Sequence, residues 1–329
     1  MDERLNAKNM KLLPVIDDDE WDSFLRKSEQ FSIYLTSDFL HCSDLDRYRY
    51  FLYENDKPLL GCLLPPRTIN GMNAVGYCMY QGLFFIEKLK GNYADELDRV
   101  QKLSKLSTLL LDLNMSISLS LHHSVFDIRG IEWSLYENGK SSRMQYAVRY
   151  SGIIHLKNFS DFQSYRKSIR KVRLQEFSNS NKKGFILNTQ PDTSVFMKMY
   201  EEMFTRRGIK LGKSELHRVF SIINFGVKSG VGRLFILHHE NGTPISGVFI
   251  LTDGTTDYYQ FGASNAEMLK VSGSSYLLLH AIEQAFINGR KYFDMVGMNS
   301  PSRGDFKASF NAKVTPYFEI EFLENNEGK

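Results

Sequence analysis

The stretch Thr255–Phe310, TTDYYQFGASNAEMLKVSGSSYLLLHAIEQAFINGRKYFDMVGMNSPSRGDFKASF, decides the fold. Its opening residues, Thr255 to Phe261, alternate and are rich in aromatics, which predicts a strand. A polar loop with Gly262, Ser264 and Asn265 leads to a second cluster of small residues, Ser272-Gly273-Ser274-Ser275. Behind it Leu278, Ile282, Ala285 and Phe286 recur at helical spacing, and Gly289 followed by Arg290 and Lys291 supplies a stop. A short strand, Tyr292 to Val296, comes next, then a loop and the segment Arg303-Gly304-Asp305-Phe306-Lys307. The start of a helix presents backbone N–H groups and the positive end of a dipole, which suits an anion such as a pyrophosphate. Small residues let a ligand approach that backbone, so the junction suggests a phosphate-bearing cofactor or substrate. The competing reading is that Ser274 or Ser275 only caps the helix.

Working outward, the same order of elements recurs. Upstream lie a helix over Ser160 to Gln175, a strand at Phe185 to Leu187, helices over Ser194 to Arg206 and Ser214 to Phe225, and a hairpin of Gly232 to His239 with Ile245 to Leu251. The first half shows a short helix opened by Asp17-Asp18-Asp19-Glu20-Trp21, with acidic residues at its positive end. It continues with a hairpin of Tyr48 to Tyr53 and Leu59 to Leu64, a strand-like run from Ala74 to Phe85, and a helix over Tyr93 to Leu113. Strands are expected at Ser116 to Leu121 and Met144 to Leu156. The hairpin Glu54-Asn55-Asp56-Lys57-Pro58-Leu59-Leu60-Gly61 matches Glu240-Asn241-Gly242-Thr243-Pro244-Ile245-Ser246-Gly247 in register. Each is followed by strand, helix and strand, so the chain reads as two copies of one α/β unit.

Length agrees, since 329 residues favour two domains. With 42% hydrophobic and 24% charged residues the composition is that of a globular protein. A net charge of +3 gives no ground for DNA binding. Three cysteines, Cys42, Cys62 and Cys78, have no metal spacing and read as reduced side chains. The N-terminus has no apolar signal core and no apolar run is long enough to cross a bilayer. A cytoplasmic place is expected, with a peripheral visit to the inner face of a membrane left open. No Walker loop, Rossmann fingerprint, zinc spacing or nucleophile elbow is present. His122 and His123 are adjacent and, on a strand, face opposite ways, so they would not share a metal.

Several segments together carry a family resemblance: the basic run Tyr165-Arg166-Lys167-Ser168-Ile169-Arg170-Lys171, Glu202-Met203-Phe204-Thr205-Arg206-Arg207-Gly208, Tyr258-Tyr259-Gln260-Phe261-Gly262-Ala263, Tyr292-Phe293-Asp294, and Gly304-Asp305-Phe306-Lys307 with Phe310. In this order they resemble the C-terminal GNAT-type domain of the FemAB-like acyltransferases, firmly from about Phe159 onward. The resemblance implies an α/β (α+β) protein of two tandem GNAT-like domains, each a mixed, mostly antiparallel sheet flanked by helices. An N-terminal, degenerate domain on the acceptor side would cover 1–155, and a C-terminal, donor-binding and catalytic domain 156–329. Two features depart from the pattern. Lys270-Val271-Ser272-Gly273-Ser274-Ser275 stands in place of the usual pyrophosphate loop of Arg or Gln with spaced glycines, and the long helical arm of some bridge-forming members is missing.

The resemblance also implies a chemistry, namely transfer of an acyl group from acyl-CoA to an amine on a small molecule or a lipid-linked cell-envelope precursor. An aminoacyl-tRNA donor, or a ligand-binding module without catalysis, are the alternatives. No metal is called for, and a monomer or homodimer is expected. Acyl transfer needs a held donor, a neutral amine and a stabilised oxyanion. By the resemblance Lys307 lies near the reaction centre, and the donor runs along Tyr259, Gln260, Phe261 and Gly262 toward Lys270, Gly273, Ser274 and Ser275. Open backbone N–H groups on that strand would serve the carbonyl. Asp294 is a candidate base for the amine proton, directly or through water. Arg206, Arg207 and Arg303 are candidates for gripping phosphate or carboxylate. Arg166, Arg170 and Arg173 fall on one helical face by spacing. Tyr258 and Gln260 should face one way along the strand and Tyr259 the other, and with one set toward the cleft Tyr259 is a catalytic candidate and Tyr258 a substrate-binding one. Tyr77, Tyr80 and Gln81 are candidates for the acceptor.

Overall fold

A computed structural model describes residues 10–69, 72–73, 78–87, 91–113 and 116–324. Of the strand expected over Ala74 to Phe85, residues 74–77, Tyr77 among them, lie outside the described residues, and the rest is a strand only over Leu83–Phe85. The chain divides into two units. The first comprises residues 1–149 and 316–329, and the second 150–315. The sequence reading divided the chain after residue 155 and left the last residues with the second domain. The last residues, however, return to the first unit, because a long strand leads the chain back.

In the first unit, β1 (Met10–Pro14), β2 (Arg49–Glu54), β3 (Lys57–Leu63) and β4 (Leu83–Phe85) form an antiparallel sheet in that order. The helix α1 (Tyr93–Asp112) and the strand β5 (Ile117–Ser120) follow, then α2 (Arg129–Glu137). The short acidic helix is Asp18–Leu25, capped by the Asp17 carboxylate accepting from the Glu20 N–H at 3.0 Å. It buries Trp21 against Phe51 and Phe84, and the indole N–H donates to the Leu35 carbonyl at 2.7 Å. A second cluster joins Leu103, Leu106 and Leu110 of α1, which recur at helical spacing, to Ile117 and Leu119 of β5.

The chain passes through β6 (Met144–His155) into the second unit. There follow α3 (Lys171–Lys182), β7 (Ile186–Asn188), α4 (Thr193–Thr205), α5 (Lys213–Ser229), the antiparallel strands β8 (Gly232–His238), β9 (Pro244–Thr252) and β10 (Thr256–Ser264), the helix α6 (Gly273–Ile287), β11 (Tyr292–Gly297) and α7 (Pro301–Ala308). The strand β12 (Lys313–Phe322) then carries the chain back to pair with β5. The sheet order in the second unit is β6-β11-β10-β9-β8-β7. All neighbours in it are antiparallel except β10 and β11, which are parallel and joined by α6 as a crossover. The mixed, mostly antiparallel sheet flanked by helices is therefore present. Strand, helix and strand recur in both units, as the repeat implied.

Three details differ from the sequence reading. The helix expected over Ser160 to Gln175 is two pieces, Phe162–Arg166 and Lys171–Lys182. Arg170 between them is extended, and its N–H is taken by the Ser309 carbonyl at 3.0 Å, a tertiary bond that interrupts the helical ladder. Arg166, Arg170 and Arg173 consequently do not share one helix face. Second, the two matching hairpin turns differ. Asn55 and Asp56 both have positive φ and close a two-residue turn, whereas His238 pairs with Pro244 across a longer loop with Gly242 at φ +83°. Third, neither Ser274 nor Ser275 caps α6. The cap position is Ser272, left-handed at φ +57°, with no side-chain capping bond.

Candidate active site

The parallel pair creates the site. β10 and β11 are in register only over Thr256–Tyr292, Asp257–Phe293 and Tyr258–Asp294. Beyond that point β10 continues to Ser264 and β11 to Gly297. A wedge opens between them at the carboxyl ends of the strands, where α6 also begins, and open α/β sheets bind ligands at that end.

Both strands bulge at the wedge. Opposite β9, Phe249 pairs with Phe261 and Ile250 with Tyr259, so Gln260 is an extra residue. The bulge overturns the simple alternation. Tyr258 and Phe261 are buried, while Tyr259, Gln260 and Gly262 are only partly covered. Phe261 stacks on Phe249 and meets Tyr200 of α4, and the Tyr258 hydroxyl donates to Asp253 at 2.6 Å. Both are thus held in packing rather than offered to the wedge. The Tyr259 ring lies back over Gly262, where an added Cβ would stand 2.0 Å from its hydroxyl, so a side chain there would have to displace the tyrosine. Burial pushes the Tyr259 phenol up to about 12, against the opposing pull of Arg303.

On β11 the register slips between Asp294 and Gly297, with Val296 left-handed at φ +52°. A β-branched residue there stores about 1–3 kcal/mol of strain, a feature that clusters at functional sites. The Val296 N–H donates to Asp294 Oδ1 at 2.7 Å. Asp294 is 1% exposed.

The helix α7 begins with Pro301 at its first turn. Gly304 lets it sit on the preceding loop, since an added Cβ would come within 2.7 Å of the Met298 carbonyl oxygen. This places Lys307 with its side chain 8% exposed. The Lys307 Nζ donates to the Gly297 carbonyl at 2.8 Å and lies 5.5 Å from the centre of the Tyr259 ring. Burial lowers the lysine to about 8, Asp294 works against that fall, and Arg303 adds to it. Arg303, one turn earlier on α7, is exposed and donates to Ser300 Oγ at 2.9 Å.

At the start of α6 an internal carboxylate is already in place. Glu176 of α3 accepts from the Ser272 hydroxyl at 3.2 Å and pairs with Arg173 at 2.7 Å. Arg173 in turn donates to Ser275 Oγ at 2.8 Å, and its guanidinium lies over the Phe306 ring. Ser274 Oγ bonds to Ser264 Oγ at 2.9 Å, and Gly273 packs on Ile245 and Ser246. Of Lys270 only the backbone is described.

Lys307, Tyr259, Asp294 and Arg303 are therefore brought together, with Gln260 and Gly262 on the adjoining strand. Arg206 and Arg207 are exposed at the C-terminus of α4, whose Tyr200 meets the face of the sheet that carries Phe261. They do not join the Lys307 group. Tyr80 and Gln81 are buried in the first unit, where Tyr80 packs against His122 and His123 and the Gln81 side chain donates to the Tyr34 carbonyl. Sequence reasoning missed Ser151 and Glu176, and it took Arg173 only as one of three arginines on a helical face. Glu176 had a signal in its i,i+3 spacing from Arg173, whereas Ser151 had none. Among the described residues no helix is long and apolar enough to cross a membrane, and no group of three or more His, Cys, Asp or Glu side chains is placed to hold a metal.

Residues 163–308 match the family described as Acetyltransferase (GNAT) domain. Solved structures are similar over nearly the whole chain. FemX is 11% identical with a TM-score of 0.63, over 96% of this chain and 98% of its own. A tandem GNAT protein from the clavulanic acid biosynthesis pathway is 11% identical with a TM-score of 0.53, over 96% and 98%. L-PGS from Bacillus licheniformis is 11% identical with a TM-score of 0.51, over 94% and 93%. No curated protein matches the sequence. Identities this low speak to fold alone, and the fold they share is the tandem GNAT, FemAB-like one.

Proposed function

From the premise that this chain carries a GNAT acyltransferase domain within a FemAB-like tandem GNAT fold, we propose that it transfers an acyl group from acyl-CoA to an amine. The acceptor class that fits is an amino sugar or an amino-acid-bearing precursor of the cell envelope. The observation that carries this reading is the buried Lys307 ammonium beside Tyr259, at the splayed end of two parallel strands.

The acyl donor lies along β10 in the wedge. The neutral amine of the acceptor attacks the thioester carbonyl, a carbon–nitrogen bond forms, the carbon–sulfur bond breaks, and the thiolate leaves. The nitrogen sheds one proton to water. Negative charge passes from the carbonyl oxygen to sulfur, and the Lys307 ammonium faces it in a site where burial strengthens such interactions. Arg303 supplies a second cation at the mouth for the phosphates of the donor or acceptor.

A pH dependence follows. The active form is the ammonium, which is lost as pH rises through about 8. Turnover should rise at low pH as the acceptor amine becomes neutral and fall as pH passes about 8, and the residual activity of Lys307→Met should lack the falling limb. A falling limb unchanged in that variant would assign it to another group.

Glu176 favours one other donor. Glu176, though paired with Arg173, already takes the Ser272 hydroxyl at the start of α6, and an aminoacyl ester on the end of a tRNA would not need that position. Incubating the protein with acyl-CoA or with charged tRNA, each with a panel of amines, and weighing the products separates the two. Amide product from acyl-CoA is expected. Product from charged tRNA only would replace the donor, and saturable binding of coenzyme A without product in any mixture would leave a binding module.

A further inference from the structure

Ser151 lies on β6, fully buried, and donates its hydroxyl to Asp294 Oδ1 at 2.5 Å. It stands opposite Gly297, the residue whose carbonyl receives the Lys307 Nζ. One buried serine thus sits at the strand bulge from both sides, on the carboxylate that the bulge presents and on the residue that anchors the lysine. A hydroxyl given to a carboxylate is a strong, charge-assisted bond and fixes the oxygen it meets. A carboxylate this deeply buried also requires a compensating charge.

The groups that act on Lys307 are Asp294 from β11, Arg303 from its own helix and the Tyr259 ring from β10. Asp305, on the same helix, is paired outward with Arg170 at 2.7 Å. Burial and Arg303 both disfavour the ammonium, and Asp294 favours it.

We infer that Ser151 and Asp294 are positioning residues for the transfer: the serine hydroxyl fixes the carboxylate at the bulge, and that carboxylate is the counter-charge that holds the Lys307 ammonium in the wedge. The inference rests on the role of Lys307 proposed above, but its test needs no acyl donor or acceptor. Only a neutral amine reacts with acetic anhydride, so the pH dependence of labelling at the Lys307 peptide, read by mass spectrometry on the full chain, reports the lysine's charge.

The wild-type protein should label with a midpoint near about 8. Asp294→Asn should move the midpoint to lower pH and raise labelling at pH 7 several-fold. Ser151→Ala should move it the same way by less, and Ser151→Thr, which keeps the hydroxyl, should restore it. Because Asp294→Asn alters a buried ionic group and can unfold, the Ser151→Ala and Ser151→Thr pair, checked by circular dichroism, decides the matter alone. Wild-type midpoints in all folded variants would overturn the inference. Shifted midpoints in a protein that transfers no acyl group would uphold the positioning pair and remove the proposed reaction.

Discussion

Replacing Lys307 with methionine is expected to lower acyl-transfer turnover about 10²- to 10³-fold, the usual loss when a group stabilising transition-state charge is removed. The melting temperature should meanwhile stay within about 4 °C of the wild-type value. Two opposing effects set that second number. The folded state holds Lys307 at about 8 against an ordinary 10.5, so between those values the unfolded chain binds more protons. At neutral pH the buried ammonium therefore costs stability, about 3 kcal/mol, and that cost fades as pH rises through about 8 to 10.5. Methionine removes the cost but leaves Asp294 without its cation and the Gly297 carbonyl without its donor, a penalty of similar size. Activity and thermal unfolding measured on one preparation would check both. Near-normal turnover would remove Lys307 from the reaction.

The largest loss of stability is expected from Tyr165→Ala. Tyr165 is fully buried, packs against Phe159, Phe162 and Phe286, and donates its hydroxyl to the Phe310 carbonyl at 2.7 Å. Phe310 follows α7 directly, so this bond ties the broken basic segment to the helix that presents Lys307. Truncating a buried aromatic costs about 3–5 kcal/mol, which should lower the melting temperature by roughly 6–20 °C. Tyr165→Phe keeps the packing and strands one buried carbonyl, for about 1–3 kcal/mol. Circular dichroism melts should rank wild type, Phe and Ala in that order. An alanine variant that melts with the wild type would show that the segment is not anchored there.

The α/β unit from Thr255 onward was legible because each of its signals is local. Tyr258 and Phe261 mark a strand, Leu278, Ile282 and Ala285 keep helical spacing, and Tyr292 and Phe293 begin the next strand. What escaped was set by contacts distant in sequence. Ile169 continues the helical spacing from Tyr165, yet the first helix ends at Arg166 and Arg170 gives its N–H to Ser309. The bulge at Gln260 reverses the faces read from alternation, and nothing in Tyr-Tyr-Gln-Phe marks it. Lys307 and Asp294 were readable as candidates because their segments resemble a family. Ser151 was not, since only the pairing of β6 with β11 makes it a neighbour of Asp294. The serines at the start of α6 pointed to a ligand, while Glu176, 96 residues earlier than Ser272, already faces them.

The claim on which the rest depends is that the donor seats in the wedge between β10 and β11. Hydrogen exchange followed with and without saturating coenzyme A tests it most directly. Slowed exchange is expected at residues 259–264 and in the first turn of α6, 272–276, with the rest of the sheet unchanged. Slowing confined to the first unit, or absent from both of those segments, would contradict it.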